Sequence, residues 1–142
     1  DQDPAHAQDN RWVHRPVMDW DAVAALGEDP GSAPARVNAW LRHVLGVRRG
    51  VPQLHAGYES YIMDVGDRRV LAIRRDHPIG PMIQLYNLSE DQVSVPMGLL
   101  RTPFGSQARE LLDDAQWDLN PPVLVLEPYQ VRWFVAAEEP EE

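Results

Sequence analysis

The apolar residues of this chain change their spacing at Pro52, from the period of an α-helix to that of a β-strand. Before Pro52, apolar side chains recur at helical intervals along one stripe: Val37, Trp40, Leu41, Val44 and Leu45. Ser32 is the predicted N-cap, and Gly50 followed by Pro52 ends the pattern, so a helix is predicted over about 33–49. A stripe of this width must be buried against another surface. We expect residues 1–31 to offer little surface that could cover it.

After Pro52 the chain alternates apolar and polar residues in short segments separated by turn residues. Strands are predicted over 58–65, 69–75, 82–88, 92–96, 108–112, 123–126 and 130–135. The first two are expected to be joined by a tight hairpin at Gly66-Asp67. Short strands with frequent turn signals are typical of an antiparallel β-sandwich. Tyr129 and Trp133 in the last strands, and Trp40 on the helix, are predicted to be core residues.

The residues before the helix are polar and rich in Asp, Pro and Gly. A short helix is predicted there, with Asp19 or Asp21 as its N-cap and Gly27 at its end. Its apolar face would carry Trp20, Val23 and Leu26.

The charge of the chain lies at its two ends. Of the net charge of −9, residues 1–35 carry −5 and the tail 138–142 carries −4, whereas residues 36–137 are neutral. Acidic ends repel phosphate backbones, so we expect no nucleic-acid partner. No apolar run approaches the length of a membrane span. The absence of cysteine excludes disulfides, cysteine–zinc sites and thiol catalysis.

Motifs of metal or cofactor chemistry are missing from the sequence. The histidines at 6, 14, 43, 55 and 77 lack metal-ligand spacing, and no phosphate-binding glycine loop or nucleophile elbow occurs. The acidic pairs at 64/67, 90/91 and 113/114 fall at predicted turns, where carboxylates usually cap the backbone. Asn87-Leu88-Ser89 matches a glycosylation sequon at a strand end. We therefore predict no metal and no cofactor, and we give the turn acids little catalytic weight.

The densest cluster of functional groups is the run R-W-V-H-R-P at 11–16. The guanidiniums of Arg11 and Arg15, with the indole of Trp12 and the imidazole of His14, suit the wall of a polar pocket for a carboxylate or polyol. A surface turn held by cation–π stacking explains the same residues equally well.

Four segments carry a resemblance to a known family. The run D-N-R-W-V-H-R-P at 9–16, with M-D-W at 18–20, closely resembles a late segment of amylosucrases and their sucrose-hydrolase relatives, sucrose-acting members of the α-amylase clan (glycoside hydrolase family thirteen). L-R-H at 41–43 and V-R-R at 47–49 resemble the last helix of that family's barrel. L-Y-N-L-S-E at 85–90 resembles its F-x-N-F-S-E strand, with Tyr86 and Leu88 in place of aromatics. L-E-P-Y-Q-V-R-W at 126–133 resembles its closing strand.

The resemblance implies a mainly β chain: a C-terminal antiparallel β-sandwich, preceded by the last loop and last helix of a (β/α)8 barrel whose remainder is absent. Residues 1–50 would end the catalytic barrel, residues 51–137 would form the sandwich, and residues 138–142 would be an acidic tail. That the first residue is Asp rather than Met agrees with this expectation. Residues 1–31 are then expected to be ordered only when the barrel is present.

The resemblance also implies a function for the parent polypeptide. A barrel aspartate, glutamate and second aspartate, all upstream of this chain, would transfer the glucosyl group of sucrose to an α-1,4-glucan with retention and release fructose. No cofactor is implied; the partners are sucrose, α-glucan and the missing barrel, and the bacterial cytoplasm is the expected compartment. Arg11 matches the family's arginine that pairs with a barrel aspartate at the base of the glucosyl pocket. Trp12, His14 and Arg15 carry over only as pocket neighbours.

Two other functions remain open from the sequence. A sucrose hydrolase of the same clan would differ in acceptor subsites that lie mostly upstream. A stand-alone carbohydrate-binding or interaction module would bind glucan through exposed aromatic side chains.

Overall fold

The computed structural model describes residues 17–137. Its helices are α1 (Trp20–Ala24), α2 (Ala33–Arg49) and α3 (Gly98–Phe104), with 3-10 turns at Ala25–Gly27 and Pro52–Leu54. Its strands are β1 (Ser60–Met63), β2 (Val70–Arg75), β3 (Met82–Asn87), β4 (Val93–Pro96), β5 (Gln107–Glu110), β6 (Ala115–Asp118), β7 (Val123–Leu126) and β8 (Val131–Ala136).

The strands form two antiparallel sheets. One has six strands in the order β1-β2-β3-β8-β5-β6, and the other pairs β4 with β7. The last strand, β8, therefore lies in the interior of the six-stranded sheet, between β3 and β5. The prediction of a mainly β, antiparallel fold is confirmed.

The main core lies between the two sheets. Alternate residues of β4 and β7 face it, since Val93, Val95, Leu124 and Leu126 are buried while their neighbours are exposed. Phe134 of β8 is fully buried in the same cluster. This alternation is the two-residue period of a strand with one face on the core.

A second cluster covers the opposite face of the six-stranded sheet. Met82, Leu112 and Trp133 are buried there with Val51, and Val44 and Val47 of α2 pack against them. His43 strengthens this contact, because its Nε2 lies 2.7 Å from the carbonyl oxygen of Leu112. The C-terminal half of α2 is thus attached to the sheet, and the prediction that Trp133 is a core residue is confirmed.

The predicted helix at 33–49 is confirmed to the residue. Ser32 Oγ accepts a hydrogen bond from the backbone N–H of Ala35, as expected of an N-cap. The short helix α1 is confirmed as well, with Asp19 Oδ1 accepting from Ala22 N at 2.9 Å.

Two predicted core residues are wrong. Trp40 is 47% exposed, because the described residues do not cover the first two turns of the stripe. Tyr129 is 66% exposed. It lies in the turn between β7 and β8, with a φ of 57°, and not in a strand as predicted for its neighbours.

The predicted tight hairpin at Gly66-Asp67 is also wrong. Pairing of β1 and β2 stops at Met63 and Ala72, so the connection is longer than two residues. Asp64 Oδ1 accepts from Gly66 N at 2.8 Å, and Asp67 Oδ1 accepts from Arg69 N at 2.9 Å. These two side-chain caps stabilise a wider loop, in which Gly66 takes a φ of 79°. Helix α3 and strand β6 were not predicted.

The chain divides into two units, with the division after Leu41. The predicted domain boundary at residue 50 remains a prediction. Within residues 17–137, no helix has the length and apolarity needed to cross a bilayer.

Candidate functional site

The predicted site residues Arg11, Trp12, His14 and Arg15 lie outside the described residues. The structure therefore begins one residue after the run that carries them. Residues 17–41 contain an apolar groove of about 540 Å³ between α1 and the start of α2. It is lined by Met18, Asp19, Ala22, Val23, Ala25, Leu26, Ser32 and Pro34.

The N-terminal half of α2 presents an exposed apolar face. Val37, Trp40 and Leu41 are 59%, 47% and 54% exposed, respectively. They lie at positions i, i+3 and i+4, so they share one side of the helix. Large apolar side chains grouped in this way are characteristic of a surface that is covered in a larger assembly.

Asn87 connects the two sequence motifs of the β region, at 85–90 and 126–133. Its side chain is 2% exposed. The Nδ2 group donates to the carbonyls of Asp91 at 2.7 Å and Glu127 at 2.9 Å, with a longer contact to Leu126 at 3.5 Å. Its Oδ1 accepts from the backbone N–H and the hydroxyl of Ser89 at 3.0 and 2.8 Å. One amide thus holds the turn after β3 against the turn before β8.

The burial of the Asn87 amide also determines whether the glycosylation sequon is accessible. Attachment of a sugar needs the Nδ2 group at the surface. In the folded chain, Nδ2 of Asn87 is buried and engaged with backbone carbonyls. The sequon at 87–89 is therefore inaccessible once the β region has folded.

Glu110 is a fully buried carboxylate at the end of β5. Its Oε1 accepts from Trp133 N at 2.8 Å, and its Oε2 accepts from Asp113 N at 2.7 Å. Arg132 Nη1 lies 3.5 Å from Oε2 and also pairs with the Asp113 carboxylate. The guanidinium lies 5.1 Å from the ring centroid of Trp117. A buried charge needs this number of partners to be tolerated, so the cluster fixes β5, β8 and the turn at 111–114 together.

Tyr86 carries a half-buried phenol on the face of the six-stranded sheet that also carries Gln84 and Trp133. Its oxygen accepts from Gln84 Nε2 at 2.8 Å and from Trp133 Nε1 at 3.2 Å. Burial raises the pKa of the Tyr86 phenol above its usual value. The phenol is therefore held neutral, as a polar partner for two side chains that are themselves buried.

Several of the turn acids that the sequence singles out are held in ion pairs. Asp67 and Asp91 both pair with Arg69, and Asp114 pairs with Arg109. The hydrogen bond from the Arg69 side chain lowers the pKa of Asp67 to about 2. Nowhere in residues 17–137 do three or more His, Asp or Glu side chains group as metal ligands do. These contacts hold loops and strands in place.

Comparison with models of known protein families identifies the family of this chain. A family model described as "Amylosucrase, C-terminal domain" matches residues 60–135, from the first residue of β1 to near the end of β8. This chain belongs to the family of amylosucrase C-terminal domains. The resemblance to this family is thereby confirmed, and the matched residues include the motifs at 85–90 and 126–133.

Solved structures share the fold. A mutant of MutB in complex with the substrate sucrose is 21% identical, with a TM-score of 0.58 over 79% of this chain and 19% of that chain. The trehalulose synthase MutB from Pseudomonas mesoacidophila MX-45 is 20% identical, with a TM-score of 0.57 over 79% of this chain and 19% of that chain. This amylosucrase C-terminal domain, with the residues before it, thus spans about a fifth of the structures that it resembles.

Sequence reasoning missed the structural roles of Asn87 and Glu110. Asn87 stood in a recognisable motif, but its burial depends on the turn at 127–130, which is distant in sequence. Glu110 follows Ala108 at a spacing of two residues, so both face the same side of β5. This two-residue spacing was the signal in the sequence that could have identified Glu110 as buried.

Proposed function

We propose that this chain is the C-terminal region of an amylosucrase-like enzyme of the α-amylase clan. The parent would use sucrose to extend an α-1,4-glucan by a retaining mechanism, with release of fructose. The observation that carries the proposal is the family match over residues 60–135. The sucrose-acting branch is supported further by the resemblance of residues 9–20, which lie outside that match.

The described residues would serve the parent as supporting structure. The cluster around Glu110 and the contacts of Asn87 tie together the turns and strands of the β region. Val44 and Val47 attach the end of α2 to the sheet. We propose that the exposed face formed by Val37, Trp40 and Leu41 packs on the barrel, with residues 1–50 as the end of that barrel. The nucleophile and the acid/base would lie upstream.

Arg11 is the residue of this chain that we propose to contact substrate. A guanidinium can hold a barrel carboxylate through two parallel hydrogen bonds and still donate to sugar hydroxyls. Trp12, His14 and Arg15 would support it. The support for these four roles is the resemblance of the run at 9–16 to the matching family segment.

The decisive experiment measures the products formed from sucrose by the complete gene product. A transferase releases one fructose for each glucosyl unit that it adds to the glucan, whereas a sucrose hydrolase releases fructose and free glucose in equal amounts. The isolated 142-residue chain is the control and should release neither sugar. If the complete protein leaves sucrose unchanged, the transferase and the hydrolase proposals both fail.

The role of Arg11 is tested by substitution in the complete enzyme. Arg11→Ala should lower kcat/KM by about a hundredfold or more, as expected for loss of a positioning charge. Arg11→Lys keeps the charge but not the planar fork, so it should recover only part of the rate. Arg68→Ala, on the exposed loop between β1 and β2, is the matched control and should leave the rate unchanged. A near wild-type rate for Arg11→Ala removes this residue from the pocket.

The exposure of Tyr129 favours one other candidate, a carbohydrate-binding module. The ring is 66% exposed on the turn between β7 and β8, where it could stack on a sugar. Affinity electrophoresis of the 142-residue chain in amylopectin, with Tyr129→Ala as the comparison, tests this candidate. Migration that amylopectin does not retard rules it out.

A further inference from the structure

The face of the six-stranded sheet that carries Trp133 is covered at one end and open at the other. Directly paired residues of four neighbouring strands form a row across this face: Ile62, Ile73, Gln84 and Trp133. Trp133 and Gln84 are buried, at 6% and 5% exposure. Ile73 is partly buried, and Ile62 is 80% exposed. The cover is therefore lost towards β1, the strand at the edge of the sheet.

Helix α2 provides the cover at the buried end. Val44 and Val47 pack against the cluster that contains Trp133. The turn after α2 is attached to β2, since Arg75 Nε donates to the carbonyl oxygen of Gln53 at 2.8 Å. Because α2 ends on this face, any polypeptide upstream of it is tethered to the same side of the sheet.

The open end of the face is apolar. It carries five side chains that we call the open patch: Ile62, Leu71, Ile73, Tyr86 and Val131. None of them is charged, although the solvated face of an antiparallel sheet is normally polar and an edge strand normally carries a charge or a proline. An exposed apolar patch of this kind is characteristic of a contact surface.

Tyr86 adds a polar requirement to the open patch. Its phenol oxygen accepts from Gln84 Nε2 and from Trp133 Nε1, which occupies both lone pairs of the oxygen. Within residues 17–137, no hydrogen bond donated by the Tyr86 hydroxyl is found. When the patch is covered, the hydroxyl proton needs an acceptor, because a buried donor without a partner is costly.

We propose that the open patch is the docking surface for the polypeptide upstream of this chain in the complete gene product. The inference rests on the proposed function, in which residues 1–50 end a catalytic barrel. The docked polypeptide presents apolar side chains to Ile62 and Ile73, and one carbonyl or carboxylate oxygen to the Tyr86 hydroxyl. The patch continues the surface that α2 already covers. The chain also spans only 19% of the MutB structures that share its fold.

Hydroxyl-radical footprinting of the complete gene product, read by mass spectrometry, measures the exposure of each side chain. Val125 of β7 is the internal control, since it is 43% exposed on the two-stranded sheet. An uncovered Ile62 would be oxidised faster than Val125, whereas a docked Ile62 should be oxidised severalfold more slowly. Tyr86 should also react more slowly in the complete protein than in the 142-residue chain, while the exposed Tyr129 should react equally in both.

Substitution supplies a second measurement on the complete protein. Ile62→Asp places a charge in the docked patch, so it should lower the midpoint of thermal unfolding by several degrees more than Val125→Asp, the matched control. Ile62→Ala against Val125→Ala gives the same comparison if the aspartate variants do not fold.

Faster oxidation of Ile62 than of Val125 in the complete protein overturns the proposal, as do equal effects of the paired substitutions. Protection of Ile62 that disappears when a dimer is diluted to monomers assigns the patch to a second copy and also overturns it. Fructose release from sucrose by the same sample distinguishes the two failures. An unprotected patch in a protein that releases fructose rejects the docking surface alone, whereas a protected patch without fructose release rejects the proposed function alone.

Discussion

Substitution of Asn87 by alanine removes the amide that joins the turn after β3 to the turn before β8. Four of its hydrogen bonds are 3.0 Å or shorter, two donated by Nδ2 and two accepted by Oδ1. A buried hydrogen bond contributes about 1 kcal/mol net, and the partners left behind lie in a buried site. We therefore expect Asn87→Ala to lower the free energy of unfolding by about 3–4 kcal/mol.

Urea denaturation followed by near-UV circular dichroism measures this loss. With a slope of about 1–3 kcal/mol per molar for a chain of this size, the midpoint should fall by about 1 M or more. Asn120→Ala is the matched control, because Asn120 is exposed and its side-chain Nδ2 donates to the neighbouring Asp118. Its effect should stay within about 0.5 kcal/mol.

A third variant tests the hydrogen bonds donated by Asn87 Nδ2 separately from those accepted by its Oδ1. Asn87→Asp keeps the shape and the Oδ1 acceptor, but it places a carboxylate oxygen against the carbonyls of Asp91 and Glu127. This variant should be destabilised at pH 7 and should recover part of the loss near pH 4, where a protonated carboxyl can donate. A midpoint for Asn87→Ala as close to the unsubstituted chain as that of Asn120→Ala would refute the assigned role.

Two further predictions concern the charged groups of the β region. Glu110→Ala leaves the buried N–H of Trp133 and the partly buried N–H of Asp113 without their acceptor, and Arg132 with one carboxylate fewer. Thermal unfolding should therefore report a loss of about 3 kcal/mol, whereas Asp114→Ala, at an exposed carboxylate, should change stability far less. The pKa of Asp67 is lowered to about 2 by the Arg69 side chain, so its contribution to stability is present above pH 4 and is lost as the pH falls towards 2. NMR titration of the carboxyl carbon should show that pKa, and Arg69→Ala should return it towards 3.8; an unchanged pKa would contradict the assignment.

The sequence predicted those elements whose signals are local. Helix α2 has an apolar stripe, a serine cap and a closing Gly50, so both of its ends could be placed. Strand β7 alternates buried and exposed residues between turn residues, and its predicted bounds match. Helix α3 was missed because it is short and contains Pro103, which normally argues against a helix.

The features that depend on distant parts of the chain could not be predicted. The position of β8 between β3 and β5 is set by packing across the sheet, which no local pattern records. Tyr129 was placed in the core by its neighbours in sequence, but it lies in the turn between β7 and β8 and is exposed. Glu110 is buried against β8, where Trp133 N donates to its carboxylate and Arg132 pairs with it, more than 20 residues away in sequence.

The family resemblance supplied what the local patterns could not. The resemblance to amylosucrases was inferred chiefly from the run at 11–16 with 18–20, whereas the motifs at 85–90 and 126–133 indicated the wider α-amylase clan. The family match covers the latter two motifs. The pocket role of Arg11 rests on the run at 9–16, which lies outside the described residues. That role therefore remains a proposal, and kinetics of the complete enzyme are its test.

The most direct test of the central claim is the amount of fructose released from sucrose by the complete gene product. The 142-residue chain, assayed at the same concentration, serves as the reference. Our account predicts steady fructose release by the complete protein and none by the shorter chain. Fructose released by the 142 residues alone, or no fructose from the complete protein, would contradict it.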